Sequence, residues 1–167
     1  MTIQRFGTQN CATEWGYYSG KAYVDPFNEI ELDVVFTDPA GQAWRVPAYW
    51  AGDNEWRVRF APRTVGDYTF RTICTDAKNP DLHGQVGQMH VEPYTGDNPL
   101  LRHGPLRVSA NGRHLEHIDG TALQWLGDTW WMGLCNRLHW PDEFQMLAAD
   151  RVAKGFTLVQ IVAGLYP

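Results

Sequence analysis

Three carboxylates in the last third of the chain, Asp128, Asp142 and Glu143, are placed where acids can do chemistry. Paired carboxyl groups can act as general acid and base when their environments separate their proton affinities. Asp142 and Glu143 follow Pro141 at the start of a predicted helix, where acids offset the helix dipole, so a surface role suits them better. Asp128 differs. It lies in Leu126-Gly127-Asp128-Thr129-Trp130-Trp131, with two aromatic rings close behind it. Asp128 could bond a hydroxyl of a ligand or orient a catalytic neighbour; equally, it could cap the following turn through its own backbone. Of Trp130 and Trp131, one is expected as a stacking platform and the other as packing, with no local signal to say which.

Gln160 sits within the apolar run Thr157-Leu158-Val159-Gln160-Ile161-Val162. A polar side chain there needs a partner, either a ligand or, the favoured reading, a buried structural bond. Tyr166 follows the same run and is a candidate for the rim of the site.

His114 and His117 look like a metal pair, but residues three apart on a strand point to opposite faces, so joint ligation is not expected. There is no HExxH, P-loop, GxGxxG or nucleophile-elbow motif, and no metal or other cofactor is expected. Cys11, Cys74 and Cys135 show neither CxxC nor metal spacing, and an odd, widely spaced set reads as free, buried thiols.

The elements that position these residues can be read from the pattern. Leu123-Gln124-Trp125-Leu126 reads as a strand ending at Gly127-Asp128-Thr129. Phe144, Leu147, Ala148 and Val152 recur at helical spacing, with Arg151 and Lys154 near the helix end and Gly155 as the cap. The run 157–162 is apolar almost throughout, as in a strand covered on both faces. Strand, helix and strand joined by tight loops predict a parallel pair with a right-handed crossover. Before this unit, Leu106-Arg107-Val108 leads into Asn111-Gly112, a signal for a two-residue hairpin turn.

Up to Thr95 the pattern is strands and turns. Ile30, Leu32, Val34 and Phe36 alternate with other residues, as do Trp44, Val46, Ala48 and Trp50, then Trp56, Val58 and Phe60, then Tyr68 and Phe70, and finally Met89 and Val91. Short strands separated by Gly, Pro, Asp and Asn predict an antiparallel, immunoglobulin-like β-sandwich. Gly66-Asp67-Tyr68 has the form of a tyrosine corner. The loop Tyr94–Pro99 marks the boundary between residues 1–95, the sandwich, and residues 96–167. The overall fold class is mainly β.

The net charge of -5 disfavours nucleic acid as a partner. Eight Trp are many for this length and would suit stacking on sugar rings, although most are expected to fill cores. Met1 to Asn10 has no apolar stretch of signal-peptide length, and no run approaches a membrane span. The chain as given therefore reads as cytoplasmic and away from membranes, or as secreted or periplasmic if a leader was removed.

Gly127-Asp128-Thr129-Trp130-Trp131 followed by Lys154-Gly155-Phe156-Thr157 resembles the opening of the bacterial apiosidase-like glycoside hydrolases. The segments Trp56 to Pro62, Gly66-Asp67-Tyr68 and His103 to Val108 resemble the β-sandwich that precedes their barrel. The resemblance implies a (β/α)8 barrel of which this chain holds only the start. It also implies a retaining-type hydrolase of plant or bacterial polysaccharide whose catalytic carboxylates lie on later strands. Such hydrolysis needs two carboxyl groups about 5 Å apart. No catalytic residue is carried over to this chain, which is expected to be inactive alone. Asp128, Trp130, Trp131 and Gln160 are the candidate substrate contacts. A non-catalytic carbohydrate-binding or supporting sandwich is the alternative. Self-association through the uncovered barrel start is expected.

Overall fold

The computed structural model describes residues 3–131 and 133–162. It divides into two compact units, Met1–Pro105 and Leu106–Pro167.

The first unit is a seven-stranded sheet with two short helices. Its elements are β1 (Ile3–Thr8), β2 (Thr13–Tyr18), α1 (Pro26–Glu29), β3 (Leu32–Thr37), β4 (Ala43–Gly52), β5 (Glu55–Phe60), β6 (Gly66–Cys74), β7 (Val86–Glu92) and α2 (Pro99–His103). The strand order is β1-β7-β6-β3-β4-β5-β2. The long strand β4 is the joint: Ala43 to Ala48 pair with β3, whereas Tyr49, Trp50 and Gly52 pair with β5 across a register irregularity. Bulges of this kind bend a strand and raise its twist.

The two halves of the sheet consequently face one another. Phe36 of β3 stacks on Phe60 of β5 with ring centroids 3.9 Å apart, although β4 lies between their strands in the sheet. Trp15, on the end strand β2, lies 5.4 Å from Phe70 of β6. The sheet is nearly closed around one core.

Alternation supplies that core. Leu32, Val34 and Phe36, then Trp56, Val58 and Phe60, then Tyr68 and Phe70, and Met89 and Val91 are buried, as the pattern predicts. Removing a side chain of this size from water is worth roughly 1.5–3 kcal/mol. Trp15 and Tyr17 of β2 join them, from a segment whose strands the pattern did not separate. In β4, Trp44, Val46 and Ala48 only flank the core, and Trp50 is 38% exposed, because this strand passes from one half of the sheet to the other.

Two departures follow from topology. The expected sandwich is antiparallel, but β1 pairs with β7 in parallel. Strands so far apart in sequence are not tied to the antiparallel hairpin arrangement. Cys74 is buried as expected, whereas Cys11 is only partly so; both are free thiols. The tyrosine corner forms: the Thr64 N–H donates to the Tyr68 hydroxyl at 3.0 Å.

In the second unit, β8 (Leu106–Val108) and β9 (Leu115–His117) form an antiparallel hairpin. Its loop spans residues 109–114 rather than two residues, because Ser109 and Asn111 bond each other and the backbone of 113 and 114. Then come β10 (Gly127–Trp130), α3 (Asp142–Ala153) and β11 (Leu158–Ile161), with β10 and β11 parallel as expected.

The strand expected at 123–126 forms instead at Gly127–Trp130. Thr157 explains the shift. Its hydroxyl donates to the Gln124 carbonyl and accepts from the Leu126 N–H, and its backbone N–H donates to the Leu126 carbonyl at 2.9 Å, so Leu126 is tied to Thr157 by side chain and backbone together just before the paired strand begins. Gly155, at φ +80°, ends the helix, where a residue without Cβ is needed. Among the described residues, no helix is long and apolar enough to cross a membrane.

Candidate functional site

Successive residues of a strand point to opposite faces, and β10 carries the candidate site on that alternation. Asp128 and Trp130 both point toward α3. One Asp128 carboxylate oxygen accepts from the Trp130 indole N–H at 2.9 Å and from the Arg151 guanidinium; the other accepts from the Thr129 backbone N–H at 2.9 Å. Arg151, in the last turn of α3, also pairs with Asp150 and lies 5.5 Å from the Phe156 ring. The Arg151 guanidinium, followed by the Trp130 indole, holds the Asp128 carboxyl below the usual carboxylate range. A carboxylate kept ionised in this way is a poor proton donor and a weak general base, and acts instead as a hydrogen-bond acceptor. The Thr129 N–H bond lies within β10 rather than in a turn after it.

The two tryptophans divide. Trp130 is 8% exposed and meets Phe144 of α3 edge-on, with centroids 5.4 Å apart. Trp131 is 56% exposed. Trp130 is therefore the packing residue. Across the chain, Trp15 and Trp56 are buried and Trp44 packs against the core, but Trp50, Trp125 and Trp140 are exposed like Trp131, so core filling accounts for only half of the eight.

Gln160 faces away from Asp128. In the parallel register Asp128 lies beside Val159 and Thr129 beside Gln160, so Thr129 and Gln160 share the face opposite α3. The favoured expectation of a buried structural bond is not met: Gln160 is exposed and makes no side-chain hydrogen bond to a described residue. Tyr166 lies outside the described residues.

Beyond the C-terminal end of β10, residues 133–136, 138–140 and Phe144 line a hollow of about 600 Å³. A smaller one, about 320 Å³, lies between β10 and α3 and is lined by Asp128, Thr129, Trp130, Arg137 and Arg151 among others. Sequence reasoning missed one pair here. Glu143 accepts from the His139 backbone N–H at 2.8 Å and lies 2.8 Å from its ring Nδ1, and these contacts hold its carboxyl below the ordinary range. The signal was the four-residue spacing. The Asp128–Arg151 contact had no local signal, since the two are distant in sequence. His117 is buried, and the His114 ring lies 3.8 Å from Glu116.

Residues 109–165 match the apiosidase-like catalytic domain, and residues 2–75 match a domain of unknown function (DUF5060). This chain is similar to the apiosidase-like glycoside hydrolases. The apiosidase-like match takes in Asp128, Trp130, Trp131, Gln160 and the whole β10–α3–β11 unit. A crystal structure of a Bacteroides vulgatus protein inferred to be a glycoside hydrolase shares the fold, with a TM-score of 0.72 at 21% identity. That comparison covers 94% of this chain and 28% of the Bacteroides protein, so this chain spans less than a third of its length. No curated protein matches.

Proposed function

We propose that this chain is the N-terminal part of a glycoside hydrolase acting on polysaccharide, with an immunoglobulin-like sandwich followed by the start of a (β/α)8 barrel. The supporting observation is the parallel β10–α3–β11 unit, which falls inside the apiosidase-like match. One such unit cannot bury both faces of its strands, and a barrel needs about 250 residues. Trp125, Val152, Val159 and Ile161 are correspondingly exposed, at 59%, 73%, 39% and 39%.

In a barrel, α3 belongs to the outer ring, and the face opposite it turns to the barrel axis. On this reading Trp131 and Gln160 contact substrate, whereas Asp128 and Trp130 hold the helix against the strand. The catalytic carboxylates are on strands outside this chain, and the 167 residues alone release no sugar from polysaccharide.

The test is to sequence the coding region downstream of Pro167 and assay the product of the continuing frame. Roughly six further strand–helix repeats with Asp or Glu at strand C-termini, and glycosidase activity lost on their substitution, are expected. A stop codon directly after Pro167 would defeat the reading.

A further inference from the structure

The outer surface of the β2–β5–β4 half carries a composed platform unrelated to the β10–α3–β11 unit. Alternation that buries Trp15, Tyr17, Trp56, Val58 and Phe60 turns Glu14 and Tyr18 of β2, and Glu55, Arg57 and Arg59 of β5, to the other face. Tyr49 of β4 pairs with Arg57 and joins them. Tyr18 and Tyr49 are 66% and 40% exposed. Their strands lie two apart and their positions two residues out of step, so the two side chains stand roughly 12 Å apart.

The polar groups between the two rings are fixed. The Tyr18 hydroxyl donates to Glu55 at 2.9 Å and the Tyr49 hydroxyl to Glu14 at 2.8 Å. Arg57 forks onto Glu55 at 2.7 and 2.9 Å and lies 3.6 Å from Glu14, while Arg59 also bonds Glu14. Arg59 stands 5.2 Å from the Tyr49 ring centroid and braces that ring. Gly16 lies in the same row, and a Cβ there would come within 2.6 Å of a Glu55 oxygen, so the glycine leaves the space in which Glu55 lies across the strand. Hydrogen bonds from Tyr49 and Arg59 hold Glu14 below the ordinary carboxylate range, and those from Arg57 and Tyr18 do the same for Glu55.

We infer that this face binds a neutral oligosaccharide. Two spaced aromatic rings offer electron-rich faces to sugar C–H groups. The glutamates have remaining lone pairs and the arginines remaining N–H groups, and these can bond hydroxyls lying between the rings. Charge selects the occupant: two acids and two arginines balance, and each is already paired within the face. An anionic ligand would have to break those pairs, whereas a neutral, hydroxyl-rich one adds to them. The site is independent of the hydrolase reading, because it involves neither the barrel start nor any catalytic carboxylate.

The full chain is run by affinity electrophoresis through gels containing xyloglucan, arabinoxylan, galactomannan, hydroxyethylcellulose or polygalacturonate. Retardation by at least one neutral polymer is expected. Tyr18→Ala and Tyr49→Ala should each weaken it about tenfold, the factor that roughly 1.4 kcal/mol of lost contact carries. Tyr49→Phe, which keeps the ring, should retain most of the binding. Phe6→Ala, which removes an exposed aromatic from β1 outside this face, should change nothing. Unchanged melting temperatures separate loss of contact from loss of fold. Retardation by polygalacturonate alone, by no polymer, or equally in wild type and both tyrosine-to-alanine variants would overturn the inference.

Discussion

Substituting leucine for Phe36 and Phe60, singly and together, tests whether the seven-stranded sheet folds back on itself. In a flat sheet, β3 and β5, with β4 between them, would stand roughly 9.5 Å apart and side chains on one face would not touch. In the structure their rings are stacked at 3.9 Å and 8° between planes, and both are buried. Each single change removes ring atoms from a packed core and should cost about 1–2 kcal/mol after partial refilling by leucine. The diagnostic quantity is the coupling. An aromatic pair is worth about 0.5–1.5 kcal/mol beyond its buried area, so the double variant should be less destabilised than the sum of the singles by about 1 kcal/mol. Urea unfolding followed by tryptophan fluorescence reads this directly. With a urea dependence of about 2 kcal/mol per molar, each single change lowers the midpoint by roughly 0.5–1 M. Additivity within about 0.3–0.5 kcal/mol would refute the folded-over sheet, because uncoupled residues behave that way.

Gly87→Ala should destabilise the first unit by about 2–3 kcal/mol in the same assay, since the new Cβ would lie 2.7 Å from the Ile3 carbonyl oxygen and 2.3 Å from Phe70. An unchanged midpoint would mean that β1 does not lie against β7 in that register. His90 lies 2.5 Å from Asp67 and 3.2 Å from Glu92, and the Asp67 hydrogen bond raises its proton affinity above the ordinary value of 6.5. A raised folded-state value contributes stability that is full below 6.5 and is lost as pH rises through the folded value, so Asp67→Asn should lower the midpoint at about pH 5.5 and have little effect at about pH 9. An equal effect at both would exclude the charged pair. The exposed Trp125, Val152, Val159 and Ile161 predict self-association of the 167-residue chain but not of residues 1–105, the first compact unit, in light scattering; a monodisperse full chain would contradict this.

Side-chain periodicity by itself determined which residues of β3, β5, β6 and β7 line the core, since alternate burial along a strand is a local consequence of the pleat. Proline and acids before Phe144 and glycine at 155 likewise marked α3, because helix ends are capped by neighbours in sequence. The βαβ order followed from the change of period between Leu123 and Val162. Tertiary structure alone decided the rest. Thr157, far along the chain, bonds Gln124 and Leu126, and β10 begins only at Gly127, which changes the meaning of Asp128: a residue that looked like the end of a strand lies within it, facing Arg151. The exposure of Trp131 against the burial of Trp130 depended on where Phe144 lies, which adjacent letters in a sequence do not encode. The parallel pairing of β1 with β7, and the assembly of Tyr18, Tyr49 and their charged neighbours on one face, required strand order and register, which are set by contacts between segments that no local pattern connects.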